Sequence, residues 1–434
     1  MTAASTSPAP AAPARQGSAQ RLVARVDLAV EAGAHVLGRV VDRAAGPAFA
    51  AVRRGRGIAR VGPVVVVARR EDVEEVLGDP LRFPVDLYAP KMTAVTGPFL
   101  LGLDGGPLYR HDRAALDAAI RPADVPDVTA LMLEVGRELV VAARRRGRID
   151  VVGELADPAV AHVAGAYLGA PGPDAATSLR WARDVFEELF IDVGDLRATR
   201  GRARAAAAAW RPHLDQLIRA RKAELLAGHP VPDDVLTRLL RGAGGDAPRL
   251  RDIAVRHNLL GLNTGWLPTV PNAFARALDE LLRRPPELAG AQEAARAGDL
   301  ALVGAYVLEA SRFRPQNVAL LRRVPEDVVI AAGTPRETHV PAGSVVVAAT
   351  LSAMHDEAAV EAPGVFRTDR PQGDGLLFGH GLHTCYGRHL VRAQLPALAA
   401  ALFEGPTVRR APGRSGRLTS TGAYPSHLVV RFDV

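Results

Sequence analysis

Apolar residues recur every three or four positions through most of residues 123–312, which is the spacing of amphipathic helices. β-Branched residues dominate the run "IARVGPVVVVAR" at 58–69, where the turn signal Gly62-Pro63 predicts a strand pair, and Asp72 then offers a helix start. Short strands are expected again in "EDVVIAA", "VPAGSVVVAA" and "SHLVVRF". The pattern therefore predicts a mainly α fold with small β-sheets (α+β), built as one large helical body.

The first seventeen residues differ from the rest of the chain. Residues 1–17, "MTAASTSPAPAAPARQG", are rich in Ala, Pro and Ser and offer little to bury, so we expect a disordered leader. Residues 18–434 contain no internal repeat and no Gly/Ser linker. They are accordingly expected to form one domain.

Composition limits the location and the partners of the protein. One cysteine in 434 residues excludes a disulfide framework, and no apolar run is long enough for a membrane anchor, so we expect a soluble cytoplasmic protein. The formal charge of +7 raises the question of nucleic-acid binding. Only two of the 54 basic residues are lysines, Lys91 and Lys222, and the arginines are scattered among acids while aromatic residues are sparse. This pattern does not favour a nucleic-acid surface.

The only cysteine, Cys385, lies in the stretch "LLFGHGLHTCYGRHL" at 376–390. A purely structural cysteine would not need the glycines on both sides of it. A zinc site would combine Cys385 with His380, His383 and His389, but that spacing matches no common zinc pattern. Cys385 could also be a nucleophile or a ligand of haem iron. A thiolate at the start of the next helix would be favoured by the helix dipole, and the glycines would let the backbone approach a flat group.

The loop resembles the haem-ligand loop of the cytochrome P450 family, because five residue types agree at fixed spacing: Phe378, Gly381, His383, Cys385 and Gly387. The resemblance implies the P450 fold, with a b-type haem between the central helix and the cysteine loop and Cys385 as its axial thiolate. In this reading Gly379 belongs to the same loop, and Phe378 lies against the proximal face of the haem.

A second motif strengthens the resemblance. Glu309 and Arg312 look like the family's Glu-x-x-Arg element at the end of a helix, which implies a buried network rather than a surface pair. The segment "VFRTDRP" at 365–371 stands where the family has its third member, so Arg367 or Arg370 is the candidate.

Further positions are expected to hold the haem propionates. The resemblance implies contacts from Arg322, from His383, and from Tyr109 and Arg113, which are four residues apart on one helix face. His111 is the competing candidate in this helix.

The central helix departs from the family's pattern. Relatives carry a small pair, then an acid and a threonine that relay protons to bound dioxygen. Counting back from the helix end, this chain has Trp266, Pro268 and Thr269 at the glycine, acid and threonine positions. We expect Trp266 to add bulk there, and Pro268 and Pro271 to kink or open the helix. A register shifted by about one turn would use Asn263-Thr264 instead.

The resemblance implies a monooxygenase-type oxidation of a lipophilic small molecule, because the segments expected to line the pocket are apolar. A separate ferredoxin or reductase would dock near Arg388 and Arg392, unless these are only solvated helix residues. Lys91 is expected to be solvated, with a substrate carboxylate as the alternative. Loss of the relay leaves a peroxide-dependent peroxygenase, or a hydroperoxide isomerase or dehydratase, as the alternative function. A non-catalytic haem-binding sensor or carrier is a third reading.

Overall fold

A computed structural model describes residues 45–192, 194–242, 248–371 and 375–433. Within these ranges the chain is mainly helical and carries four small sheets, which confirms the predicted fold class. The predicted leader, residues 1–17, lies outside the described residues.

The helices of the described ranges are α1 (residues 45–54), α2 (Arg70–Gly78), α3 (Ala89–Val95), α4 (Gly106–Ala119), α5 (Val125–Arg144), α6 (Asp157–Leu168), α7 (Ala175–Phe186), α8 (Arg197–Leu226), α9 (Val235–Arg241), α10 (Asp252–Trp266), α11 (Thr269–Leu281), α12 (Pro285–Arg296), α13 (Leu300–Phe313), α14 (Thr350–Ala353) and α15 (Arg388–Phe403). The strands are β1 (Ile58–Val61), β2 (Val64–Val67), β3 (Arg148–Asp150), β4 (Leu320–Arg323), β5 (Val328–Ile330), β6 (Thr338–Val340), β7 (Val345–Ala348), β8 (Val408–Arg410), β9 (Thr419–Thr421), β10 (Tyr424–His427) and β11 (Val429–Phe432).

The largest sheet joins β1 and β2 to two strands from much later in the chain, with strand order β1-β2-β7-β4. The predicted strand pair is confirmed: β1 and β2 are antiparallel with Ile58 opposite Val67, and the turn between them uses Gly62 at a φ of 58°. Strand β2 is parallel to β7, and β7 is antiparallel to β4. The other sheets are β3-β11-β8 and the pairs β5-β6 and β9-β10. The following helix begins at Arg70, two residues before the predicted start at Asp72.

Two groups of core side chains meet near the cysteine loop. Helix α15 packs against α5, α12 and α13, and its Leu398 and Phe403 are fully buried in the helical core. A second core, which includes Val65 and Phe83, belongs to the four-stranded sheet and α2. Leu376, just before the loop, belongs to the sheet core, whereas Leu390, just after it, belongs to the helical core. The loop that carries Cys385 therefore bridges the two cores.

The central helical segment is interrupted, as the prolines predict. Helix α10 ends at Trp266 and α11 begins at Thr269, while Leu267 and Pro268 keep right-handed helical dihedral angles. The amide of Leu267 still donates to the carbonyl of Asn263 at 3.0 Å, so the turn does not open. Because proline has no N–H, the carbonyl four residues earlier loses its usual donor. Pro271 lies within the first turn of α11, where a missing N–H costs little.

No helix in the described part of the chain combines the length and the apolar character needed to cross a membrane.

Candidate functional site

The cysteine loop consists of two short 3-10 turns, Leu376–Phe378 and Gly381–His383, followed by the start of α15. The amide of Cys385 donates to the carbonyl of Phe378 at 2.7 Å, which closes the loop. Gly381 has a φ of 68°, and a Cβ there would lie 2.6 Å from the carbonyl oxygen of Leu77. Glycine is therefore required at Gly381 both by the dihedral angle and by the close approach of α2.

Burial raises the pKa of the Cys385 thiol above its ordinary value, although the backbone N–H of Gly387 and the charge of Arg388 act in the opposite direction. Desolvation and the helix start act in opposite directions on this sulfur, so the expectation of an anion stays a prediction that depends on a bound cation. Among the described residues, no group of three or more His, Cys, Asp or Glu side chains could hold a metal ion, which disfavours the zinc alternative.

Glu309 and Arg312, at the end of α13, form a buried bidentate ion pair. Nε and Nη2 of Arg312 donate to the two carboxylate oxygens of Glu309 at 2.9 and 2.7 Å. Each residue is 5% exposed. The remaining Arg312 nitrogen donates to the carbonyls of Met354 and Pro363, so the guanidinium also fixes the backbone ahead of the cysteine loop.

The third member of the network is Arg370, whose Nε donates to Glu309 at 3.0 Å. Arg367 contributes only its backbone N–H to Glu309, and its side chain pairs with Asp369. Burial alone would raise the pKa of Glu309, but the hydrogen bonds from Arg312 and Arg370 outweigh burial and lower it. Glu309 therefore stays ionised at neutral pH.

Arg322 on β4 is a buried cation. The residue is 4% exposed, and its Nη1 donates to the backbone carbonyl of Leu321 at 2.8 Å. Burial lowers the pKa of Arg322, while Tyr88 and Asp104 partly offset the effect. Within the described ranges no Asp or Glu forms an ion pair with Arg322. A buried guanidinium in this state would be stabilised by an added anionic group.

The structure brings helix α4 against the cysteine loop through Tyr109 and Arg113. The Tyr109 hydroxyl donates to the carbonyl of Leu382 at 3.3 Å. The guanidinium of Arg113 lies 4.8 Å from the ring centre of Tyr386, the residue after Cys385, while its Nε donates to Asp117. The competing candidate of the sequence, His111, instead contacts Asp112 at 3.0 Å.

Asp104 is a residue of this region that the sequence patterns did not reveal. Its Oδ1 lies 2.9 Å from Nε2 of His383, and both of its carboxylate oxygens accept from the amide of Val85. His383, for which the resemblance implies a propionate contact, thus has a protein carboxylate at its Nε2. The only signal in the sequence was an acid at the start of "DGGPLYRHDR", which does not indicate its partner.

One face of the central segment borders open space. Leu262, Gly265 and Thr269 are partly exposed although most of their neighbours are buried, and these three residues share one helix face. A Cβ added to Gly265 would meet no heavy atom of the described residues within 4 Å, whereas one added to Gly261 would strike the ring of Phe99. The hydroxyl of Thr269 donates to the carbonyl of Gly265 at 2.6 Å. Thr269 therefore borders the open space, but its hydroxyl donates its hydrogen bond to the backbone of its own helix.

Trp266 points to the helices on the other side of α10. Its Nε1 donates to Oε1 of the buried Gln394 at 3.0 Å, and its ring lies edge-on to Tyr167 of α6 with centroids 5.9 Å apart. The expectation that Trp266 adds bulk at the oxygen position is not tested by these contacts. Gln394 and Tyr167 were missed, although a buried indole requires an acceptor.

The shifted register has a different arrangement. The amide of Asn263 donates to the carbonyl of Leu259 at 3.0 Å, as in an ordinary helix. The hydroxyl of Thr264 is buried and has no hydrogen-bond partner among the described residues. Pro268 also has no N–H to donate to the Thr264 carbonyl, which would be the usual helical bond at this position.

On the other side of the loop, a cleft of about 290 Å³ is lined by Phe378 and by several arginines of the Glu309 network. Arg392 belongs to this lining, and its guanidinium lies 5.3 Å from the ring centre of Phe378. The sequence allowed Arg392 to be a solvated residue, but it packs against the aromatic residue of the loop.

Comparison with known proteins gives one consistent result. The family model described as "Cytochrome P450" matches residues 194–413. Cyclomarin C epoxidase CymV from Salinispora arenicola (strain CNS-205) is 30% identical over 343 residues, which covers 77% of this chain and 82% of that protein. Nocardicin C N-oxygenase from Nocardia uniformis subsp. tsuyamanensis is 29% identical over 371 residues, covering 81% and 86% of the two chains.

Vitamin D(3) 25-hydroxylase from Pseudonocardia autotrophica is 26% identical over 371 residues, covering 82% of this chain and 85% of that protein. Among solved structures, ligand-free cytochrome P450 TbtJ1 matches with a TM-score of 0.74 at 24% identity, covering 90% of this chain and 98% of that one. CalO2 matches with a TM-score of 0.75 at 23% identity, covering 91% and 97%. These two structures support the fold.

Proposed function

The chain belongs to the cytochrome P450 family of haem-thiolate oxidoreductases, and we propose that residues 18–434 form one catalytic domain that oxygenates a lipophilic small molecule. The observation that carries this proposal is the placement of Cys385. Its loop joins the two cores, is closed by the Cys385 to Phe378 hydrogen bond, and follows a segment fixed by Arg312. Such a loop holds a single sulfur at a defined position.

The residues present fit a b-type haem. Arg322 is a buried cation without a carboxylate partner in the described ranges, Gly265 borders open space, and Cys385 lies in the loop that joins the two cores. We assign Cys385 as the residue that would bind the iron, Arg322, Arg113 and Tyr109 as residues that would contact the propionates, and His383 as a contact that would be shared with Asp104. When bound, the haem supplies an iron whose thiolate ligand favours O–O bond cleavage.

The buried ion network positions the ligand loop rather than contacting the haem. Arg312 binds backbone carbonyls of Met354 and Pro363, and Arg370 binds those of Glu361 and Ala362. Glu309 connects the two guanidiniums. This arrangement fixes the chain between α14 and the cysteine loop against α13, so it sets the position from which Cys385 reaches the haem.

The oxidant could be dioxygen or a hydroperoxide. The residues at the relay positions of the central helix are the reason to consider a hydroperoxide. Substrate oxygenation with dioxygen is the activity we place first, since it is the common activity of the family. Dioxygen chemistry requires a proton donor near the oxygen site. Pro268 has no side-chain group that can donate a proton, and the Thr269 hydroxyl donates a hydrogen bond to the carbonyl of Gly265. A hydroperoxide already contains a reduced O–O bond, so peroxide-dependent turnover or hydroperoxide rearrangement is the second candidate. A water beside Thr269, or Asn263 with Thr264 in the shifted register, is the arrangement that could restore the relay; the Thr264 hydroxyl is unpartnered among the described residues.

The substrate pocket is proposed to lie between the segment around α3 and the end of α7. The π-helical turn Glu187–Ile191 follows α7, and its Phe190 packs against Tyr88 with ring centroids 5.4 Å apart. The ammonium of Lys91 donates to the carbonyls of Glu188 and Asp192 at 3.1 and 2.7 Å. The expectation that Lys91 is solvated is therefore wrong, and both carbonyl contacts would have to be given up before it could bind a substrate carboxylate. An apolar, aromatic lining favours a lipophilic substrate.

A dioxygen-dependent reaction would need electrons from a separate protein, for which we propose a ferredoxin or a reductase. Arg388 begins α15 three residues after Cys385, and Arg392 lines the adjacent cleft. A positive surface at this position would attract an acidic donor and raise its association rate.

The test combines spectroscopy with single-turnover measurements on the purified, haem-loaded protein. A substrate is first found by screening lipophilic acids, their hydroperoxides and terpenoids for a shift of the haem spectrum. Product formation with hydrogen peroxide is then compared with product formation with a surrogate ferredoxin and its reductase. Tightly coupled dioxygen turnover, with peroxide only bleaching the haem, would eliminate the second candidate. Lack of product with either oxidant would favour the sensor or carrier reading.

A further inference from the structure

A chain of oxidisable side chains leads away from the central segment toward the protein surface. It begins at Trp266, next to Gly265, and continues to Tyr167, whose ring centroid is 5.9 Å from that of the indole. The Tyr167 hydroxyl donates to Oδ2 of Asp124 at 2.7 Å. Indole and phenol are the side chains without sulfur that lose an electron most readily, so their contact provides a short route for electron transfer.

Asp124 is suited to accept the phenolic proton. Burial alone would raise the pKa of Asp124, but hydrogen bonds from Tyr167, Arg238 and Arg121 outweigh burial and lower it, so the carboxylate is ionised. The donor to acceptor distance of 2.7 Å lies within the range for direct proton transfer. A phenol must lose its proton when it is oxidised to a neutral radical, and here the acceptor is already in place.

The outer end of the chain reaches solvent. Arg121 donates to Asp124 at 3.1 Å and to Asp233 at 2.9 Å. The side chains of Arg121 and Asp233 are 43% and 62% exposed. Tyr167 is itself partly exposed, so a small reductant in solution can approach this end of the chain, whereas Trp266 is only 8% exposed.

We propose that Trp266, Tyr167 and Asp124 form an electron and proton relay that gives this protein a peroxidase activity toward small phenols, separate from substrate oxygenation. The inference rests on the proposed haem binding, and hydrogen peroxide is the oxidant. Trp266 gives up one electron and regains it from Tyr167, whose O–H bond breaks as its proton moves to Asp124. A phenol in solution then supplies one electron to Tyr167, Asp124 returns the proton, and the phenol's own proton is released.

Two such cycles balance the reaction. One hydrogen peroxide and two phenols become two waters and two phenoxyl radicals, because the two electrons and two protons that reduce the peroxide come from the phenols. In the absence of a phenol, the unpaired electron remains on Tyr167. The proposal therefore predicts a radical that can be observed directly, whether or not any substrate is oxygenated.

The experiment mixes the haem-loaded protein with hydrogen peroxide, freezes it within milliseconds to seconds, and records the electron paramagnetic resonance spectrum. The wild type is expected to show a tyrosyl radical. Tyr167→Phe keeps the ring and removes only the hydroxyl, so it should lose this signal. Trp266→Phe should lose the same signal although Tyr167 is intact, and both variants should oxidise a phenol such as guaiacol more slowly.

Two matched controls test whether the position of the residues matters. Trp210→Phe alters a buried tryptophan of α8 that packs on Trp181, and Tyr306→Phe alters a tyrosine of α13 that packs on Phe366. Both should keep the wild-type radical. An unchanged tyrosyl signal in Tyr167→Phe, or an undiminished Tyr167 signal in Trp266→Phe, would overturn the relay. A wild type that binds haem through the thiolate but forms no radical would also overturn it, whereas failure to bind haem would contradict the proposed function itself.

Discussion

Replacing Arg312 with alanine should destabilise the protein far more than breaking an ion pair on its surface. The substitution leaves Glu309 buried with only the side chain of Arg370 and one backbone N–H, and it leaves the carbonyls of Met354 and Pro363 without their guanidinium donor. Removing one partner of a buried pair costs about 3–5 kcal/mol. At about 1.4 kcal/mol per tenfold change, the folding equilibrium should fall by at least about a hundredfold.

The matched control is Arg137→Ala, which breaks a bidentate pair with Glu404 where the arginine side chain is 51% exposed. Exposed pairs contribute about 0–1 kcal/mol, so this variant should stay close to the wild type. Urea unfolding of the purified proteins gives both free energies, and the haem content per chain is measured on the same samples. Arg312→Ala is expected to lose haem as well as stability. Equal losses in the two variants, with full haem content, would refute the idea that the buried network holds the ligand loop.

Three further outcomes are expected. Cys385→Ala should lose the absorption band that marks thiolate ligation in the carbon-monoxide complex of the reduced protein, and a haem-loaded variant with an unchanged spectrum would exclude Cys385 as the ligand. Pro268→Glu should raise the share of electrons that end in product rather than in peroxide, measured as product formed per NADPH consumed. Because the folded pKa of Glu309 lies below its ordinary value of 4.5, its contribution to stability is present above about pH 4.5 and is lost as the pH falls through the folded pKa. The urea midpoint of Glu309→Gln should therefore change less than that of the wild type in this acid range, and parallel profiles would contradict the assignment.

Local patterns predicted the parts of this molecule that depend on neighbours in the sequence. The strand pair around Gly62 followed from β-branched runs and a turn signal, and the interruption near Pro268 followed from the missing amide hydrogen of proline. The cysteine loop was recognisable by its resemblance to a known loop, because its residue types agree at fixed spacing between Phe378 and Gly387. The strand pair, the helix interruption and the loop each depend on residues that are close together in the sequence.

Contacts between distant segments were not predictable in the same way. The sequence could not choose between Arg367 and Arg370, because only the folded chain shows which side chain turns toward Glu309. The partner of His383 is Asp104, which is 279 residues away. The helix start that favours a thiolate at Cys385 is visible in the sequence, whereas the desolvation that opposes it depends on packing.

The interruption of the central helix separates two mechanical units. Helix α10 packs against α7 and α8, whereas α11 packs against α13 and α15, the helices of the Glu309 network and of the cysteine loop. An uninterrupted helix would transmit a displacement of one end to the other, but a missing backbone hydrogen bond lets the joint at Leu267 and Pro268 bend. A displacement of α7 or α8 would therefore be taken up in part at this joint before it reached the helices that hold the ligand loop.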